Sequence, residues 1–240
     1  MKKVTILLFA LVAVLSTVFS VSAQDSIKPG ETVEGEITDD TYAVAYEYIG
    51  TAGEVIVVDL FPVDVLADYD NPSVIIELDG VEILRYDGYG ATTVVTQLPD
   101  DGTYTITAGR RDDADGDSVG EYTLTLRNPT PITIDEPQSN TIDNESTHYY
   151  VYDGDEDFMV SFARQGDYAP QISVNTVDTS ATPGRLDAVA AMGGPAVTRG
   201  TMGVIPGGEL YVLVVEEPLF SFSFGEITAE YALGLFLPEE

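Results

Sequence analysis

Short apolar or alternating runs, cut by Gly, Pro and Asp, recur from residue 25 to the end of this chain. Val55–Leu60, Val74–Leu78, Tyr104–Ala108 and Tyr122–Leu126 are rich in β-branched and aromatic residues and too brief for helices, so each predicts a strand. Tyr42, Val44, Tyr46 and Tyr48 alternate, as do His148, Tyr150 and Tyr152, which reads as one strand face in each case. Only "RLDAVAAMGG" (185–194) carries a short pattern that a helix could use. Many short strands joined by Gly/Asp turns predict an all-β protein of sandwich or jelly-roll type.

The strand pattern occurs twice. "LPDDGTYTITA" (98–108) matches "IPGGELYVLVV" (205–215) at an offset of 107, and "GEYTLTL" (120–126) matches "AEYALGL" (229–235) at an offset of 109. "YEYIGTAGEVIVVDL" (46–60) corresponds to "YVYDGDEDFMVSFA" (150–163) with a small deletion. A period of this size means two domains of one type, over 26–128 and 130–237, joined by the proline-bearing "RNPTPITI".

The first 23 residues stand apart: a basic start at Lys2 and Lys3, an unbroken apolar run, and small residues with Val21 and Ala23 placed for cleavage. This is the layout of a secretory signal peptide, which places the protein outside the cell or at the envelope exterior. An uncleaved anchor is the alternative, because the run is close to the ~20 apolar residues that span a bilayer. The chain has no cysteine, so its fold rests on its core rather than on disulfides. Its net charge is −31, and loss of Lys2 and Lys3 with the leader would make it −33. Such a field repels nucleic acid and anionic lipid and attracts cations and basic surfaces. It also suits a protein adapted to high salt, in which case the acidity speaks of habitat rather than partners.

In order, "IKPGETVEGEI", "YEYIGTAGEVIVVDL", "DYDNPSVIIELDG", "LPDDGTYTITAG" and "GEYTLTL" resemble the bacterial pre-peptidase C-terminal (PPC) domain family, over residues 26–128. Residues 130–237 keep "IPGGELY" and "AEYAL" but depart from the pattern between "NTVDT" and "GTMG". The resemblance implies β-sandwich accessory domains without catalysis of their own, found on exported proteins and calcium-stabilised in some members.

The residues themselves offer little catalytic chemistry. His148 is the single histidine, and it alternates with tyrosines on a strand, so a structural or surface imidazole is the better reading than a general base. There is no cysteine nucleophile, no H-E-x-x-H and no G-x-S-x-G. Carboxylate pairs are abundant among 41 acids and for that reason point nowhere in particular.

Calcium is the more physical ligand, because it takes 6–8 oxygens from carboxylates and carbonyls. "DADGDS" sets Asp113, Asp115 and Asp117 at alternate positions, with Glu121 nearby. Ser118 and Leu124 stand where an EF-hand needs Gly and a bidentate Glu, so that motif is excluded. The choice left open is an ad hoc calcium site or a water-exposed hairpin loop. A second cluster, Asp64, Asp68 and Asp70, carries the same two readings, and a shared site would require both loops at one end of a sandwich.

Two aromatic sets are candidate binding surfaces. Tyr86 and Tyr89 in "RYDGYG" suit a hairpin with one ring folded over the edge, and Phe220, Phe222 and Phe224 suit a buried strand face. The expectation is a secreted, non-catalytic binding module for an extracellular polysaccharide or protein. The alternatives are an acidic envelope protein with no specific ligand and a carboxylate-dependent hydrolase.

Overall fold

The computed structural model describes residues 25–64, 69–143, 146–166, 169–178, 184–193, 197–217 and 228–239. The leader-like residues 1–23 and Phe220, Phe222 and Phe224 lie outside the described residues. Within them, regular structure is strand throughout, apart from one 3-10 turn at Asp113–Asp115.

The first half contributes β1 (Asp25–Ser26), β2 (Thr32–Ile37), β3 (Ala43–Gly50), β4 (Val55–Pro62), β5 (Pro72–Leu78), β6 (Val81–Asp87), β7 (Thr92–Gln97), β8 (Gly102–Arg110) and β9 (Gly120–Arg127). The second contributes β10 (Thr130–Pro131), β11 (Gln138–Asp143), β12 (His148–Asp153), β13 (Met159–Gly166), β14 (Gln171–Val177), β15 (Leu186–Gly193), β16 (Arg199–Thr201), β17 (Leu210–Glu216) and β18 (Thr228–Phe236). Four sheets result, in the orders β1-β3-β8-β5-β6, β2-β9-β4-β7, β10-β12-β17-β14-β15 and β11-β18-β13-β16. Adding nine to each strand number of the first two sheets reproduces the other two, so the repeat in sequence is a repeat in topology. The fold is all-β, with one core between each pair of sheets.

Strand alternation supplies both cores, since inward positions such as Ile56, Val58 and Leu60 on β4 face Val74 and Ile76 on β5. Each core also holds a pair of tyrosine hydroxyls that satisfy one another: Tyr46 with Tyr122 at 2.8 Å, and Tyr150 with Tyr231 at 2.5 Å. Gly35, in register with Tyr122, leaves the space that ring fills, for a Cβ there would lie 2.3 Å from the hydroxyl.

Two readings of the sequence are corrected. Within "RLDAVAAMGG", Leu186–Gly193 forms strand β15, because Ala190 and Met192 pack onto the second core at strand spacing. The aspartate segment is not a hairpin loop: β8 pairs with β3 and β5, and β9 with β2 and β4, so it crosses from one sheet to the other. Alternation gives a strand its faces but does not say which sheet receives it.

A third cluster joins the halves. Val55, Val57 and Val95, on the outer face of β4 and β7, pack against Val212 and Val214 of β17, with Tyr149, Val151, Val177, Leu186 and Leu210 around them. Asp59 is buried here. It accepts from Arg127 Nε at 2.9 Å, Thr93 Oγ1 at 2.7 Å and the Tyr149 hydroxyl at 3.1 Å, the last from the other sandwich. The Val95 amide donates to the Gly184 carbonyl across the same contact at 2.8 Å.

Val57→Asp would set an unpaired carboxylate in this contact, and the expected cost is about 3–5 kcal/mol. Scanning calorimetry should then resolve two unfolding transitions where the parent shows one. An unchanged single transition would mean that the contact does not couple the sandwiches.

Candidate functional site

The aspartate segment leaves β8 in a backbone that few residues accept. Asp112 and Asp113 both have left-handed φ, 64° and 49°, a region that Asp tolerates better than most L residues. Gly116 closes the turn, where a Cβ would come within 2.1 Å of the Arg111 carbonyl oxygen.

Arginine holds this turn together. Arg110 is 2% exposed; its Nε donates to the Asp113 carbonyl at 2.8 Å, one terminal amine to the Ala114 carbonyl at 3.3 Å, and the other to Asp39 Oδ1 at 3.2 Å. Arg111 donates to the Gly88 carbonyl at 2.8 Å, and Arg85 reaches Asp113 Oδ1 at 3.5 Å while pairing with Glu82. Guanidinium groups therefore take loop carbonyls of the kind a calcium ion would use. These arginines were missed as site residues, although "RR" stands directly before "DDADGD" in the sequence.

The two acidic segments do meet at one end of the first sandwich. The Asn71 amide donates to Ser118 Oγ at 3.2 Å, the Arg111 amide to the Asn71 carbonyl at 2.9 Å, and the Val63 amide to the Glu121 carbonyl at 3.0 Å. Among the described residues, their carboxylates do not converge. Asp113, Asp115 and Asp117 are exposed along the segment, Glu121 lies on β9 opposite Glu36, Asp64 is exposed, and Asp70 accepts from Asn71 Nδ2 at 2.6 Å. Asp68 lies outside the described residues. Among the described residues, no three Asp, Glu or His side chains are grouped to hold a metal ion.

His148 is structural in its contacts. It is half-buried on β12, and its Nδ1 shares a hydrogen bond of 2.7 Å with the Tyr231 hydroxyl, which also meets Tyr150. Burial lowers its pKa below 6.5; Asp143 opposes that shift and Arg127 adds to it. The ring borders a cleft of about 360 Å³ between the sandwiches, shared with Arg127, Asn128, Asn140 and Thr147. Of the two candidate tyrosines, Tyr86 packs against the first core and Tyr89 is 77% exposed.

The arrangement defines a class: a tandem of two β-sandwiches carrying an arginine-braced acidic loop. No protein family matches the chain, and no curated protein matches it in sequence. Among solved structures, the M60 catalytic domain with the CBM51-1 and CBM51-2 domains from Clostridium perfringens ZmpB aligns at 9% identity and a TM-score of 0.26. That alignment covers 80% of this chain and 33% of the other, so this chain spans about a third of that protein's length. The CUB1-EGF-CUB2 domain of human MASP-1/3 aligns at 11% identity and a TM-score of 0.19, covering 88% of this chain and 96% of the other. Likeness at these scores carries no argument about function. Among the described residues, no helix is long and apolar enough to cross a membrane.

Two outcomes follow from these contacts. Arg110→Met removes the donors from the Asp113 and Ala114 carbonyls, with an expected loss of about 1–3 kcal/mol. Limited proteolysis should then cut within 112–117 well before the parent is cut there. For His148, the folded pKa lies below 6.5, so the unfolded chain takes up the proton first as pH falls. Its contribution to stability is therefore complete above pH 6.5 and is lost on acidification. Urea unfolding of parent and His148→Gln between pH 8 and pH 5.5 should give curves that diverge above pH 6.5 and converge below it.

Proposed function

We propose that this chain is an exported, non-catalytic binding module in which two sandwiches, locked as one body, present the acidic loop end of the first to an extracellular polysaccharide or protein. The observation that carries this reading is the bracing of the aspartate segment by Arg110 and Arg111, which fixes its backbone while Asp112, Asp113, Asp115 and Asp117 stay on the surface. Recognition from a loop held on a rigid scaffold loses little entropy on binding. A surface of this sign favours a basic partner, so a cationic protein fits better than a neutral glycan. The engagement of His148 by Tyr231 supports a structural rather than a catalytic imidazole. The PPC resemblance and the leader-like N-terminus belong to the same reading.

Calcium is the competing account of the loop, favoured by the meeting of the two acidic segments at Asn71. With arginine already supplying the countercharge, chelation is expected to leave the melting temperature unchanged. A calcium-dependent rise abolished by Asp113→Ala with Asp115→Ala would instead establish a metal-stabilised loop. For the binding role, retention on immobilised cationic protein and on polysaccharide matrices is measured for the parent and for the Asp112→Asn, Asp115→Asn, Asp117→Asn triple variant. The triple variant should lose at least tenfold in affinity for the cationic matrix. Equal retention of both proteins, or turnover in a glycosidase or peptidase screen, would overturn the reading.

A further inference from the structure

Four open sheets have eight edges, and an edge strand offers unpaired N–H and C=O groups to any strand that can approach. Among the described residues, seven of the eight are blunted. β1 and β10 are two residues long, with Asp25 in one and Pro131 in the other. β2 carries Glu34 and Glu36, β6 carries Glu82, Arg85 and Asp87, and β16 is a three-residue strand beginning at Arg199. β7 is covered, with its Val95 amide bonded to Gly184 and Val94 and Val95 buried. β11 is polar and ends in Asp143.

β15 differs from all of these. It is eight residues long, "LDAVAAMG", with no proline and no charge after Asp187, whose carboxylate is met by Arg185 at 2.7 Å. One side pairs with β14; among the described residues, no strand pairs with the other. Val189 is 52% exposed, and Ala188 and Ala191 are exposed as well.

The equivalent strand of the other repeat makes the difference plain. Both β6 and β15 carry a bulge at the same place, skipping Ile83 in one ladder and Val189 in the other. A bulge twists an edge away from partners, but β6 adds three charged side chains to that protection and β15 adds none between Ala188 and Gly193.

We propose that β15 is a self-pairing edge: two copies of this chain join antiparallel along Ala188–Gly193 about a two-fold axis, fusing their five-stranded sheets. A second copy is the occupant that charge selects. With a net charge of −31, most surfaces of two copies would bring carboxylates together, whereas Ala188–Gly193 against itself brings none. Isologous two-fold contacts are also the commonest way for identical chains to associate. Because the strip is neutral and the bodies repel, association should strengthen as salt screens the long-range field, the reverse of a contact built on ion pairs.

The test is sedimentation velocity of the purified protein from 0.05 to 1 M NaCl, followed by amide hydrogen exchange at concentrations where each species dominates. The dimer fraction should rise with salt, and the added protection should fall within 188–193. Val189→Glu and Ala191→Glu, both at exposed positions, should each weaken association at least tenfold without lowering the melting temperature, while Thr141→Glu on β11 leaves it unchanged. A monomer at every salt concentration would overturn the proposal, as would a dimer that survives both variants or protects another edge. Capture of a foreign extended peptide on β15 by a protein that stays monomeric would overturn it too.

Discussion

Asp59 lies in a contact that excludes water, and a carboxylate there is tolerable only when its oxygens are occupied. Arg127 and Thr93 come from its own sandwich and Tyr149 from the other, so satisfying this one charge fixes how the two bodies meet. The valines around it supply apolar burial, which has no direction of its own. The hydrogen bonds supply the direction. Glu216, which is half-buried, shows the cost of acids near this contact: burial raises its pKa, and Asp59 adds to the effect.

The repeat explains why only one face of each sandwich takes part. The ladder registers place Thr105 and Thr107 of β8 where β17 has Val212 and Val214, and Ala45 and Glu47 of β3 where β12 has Tyr149 and Val151. On the other pair of sheets, Met159 and Ser161 of β13 stand where β4 has Val57 and Asp59. Each sandwich thus carries an apolar face toward its partner and a more polar one away from it. Stacked repeats end where the outer faces are polar, and here the less apolar face of each sandwich is the outward one.

Several of the scarce cations are tied to oxygens of the chain itself, and Arg110 is buried in doing so. Arg110 and Arg111 brace the acidic loop, Arg127 neutralises Asp59, and Arg185 meets Asp187. Arginine suits these places because its fork of donors can satisfy two or three oxygens at once. The same economy leaves the remaining carboxylates to repel one another, and salt screens them.

The strands, the tyrosine positions and the twofold repeat were legible in the sequence, because alternation and turn residues are local properties of the chain. The run Val55–Leu60 announced a strand, and the structure buries both of its faces. What covered the second face was not legible, since an apolar run reads alike against a core or a neighbouring domain. The passage of the aspartate segment between sheets, the strand at 186–193 and the arginine filling of the acidic loop were likewise set by partners distant in sequence. Sequence determined which surfaces must be hidden; only the tertiary structure decided what hides them, because burial is undirected while a ladder or a buried hydrogen bond admits one partner.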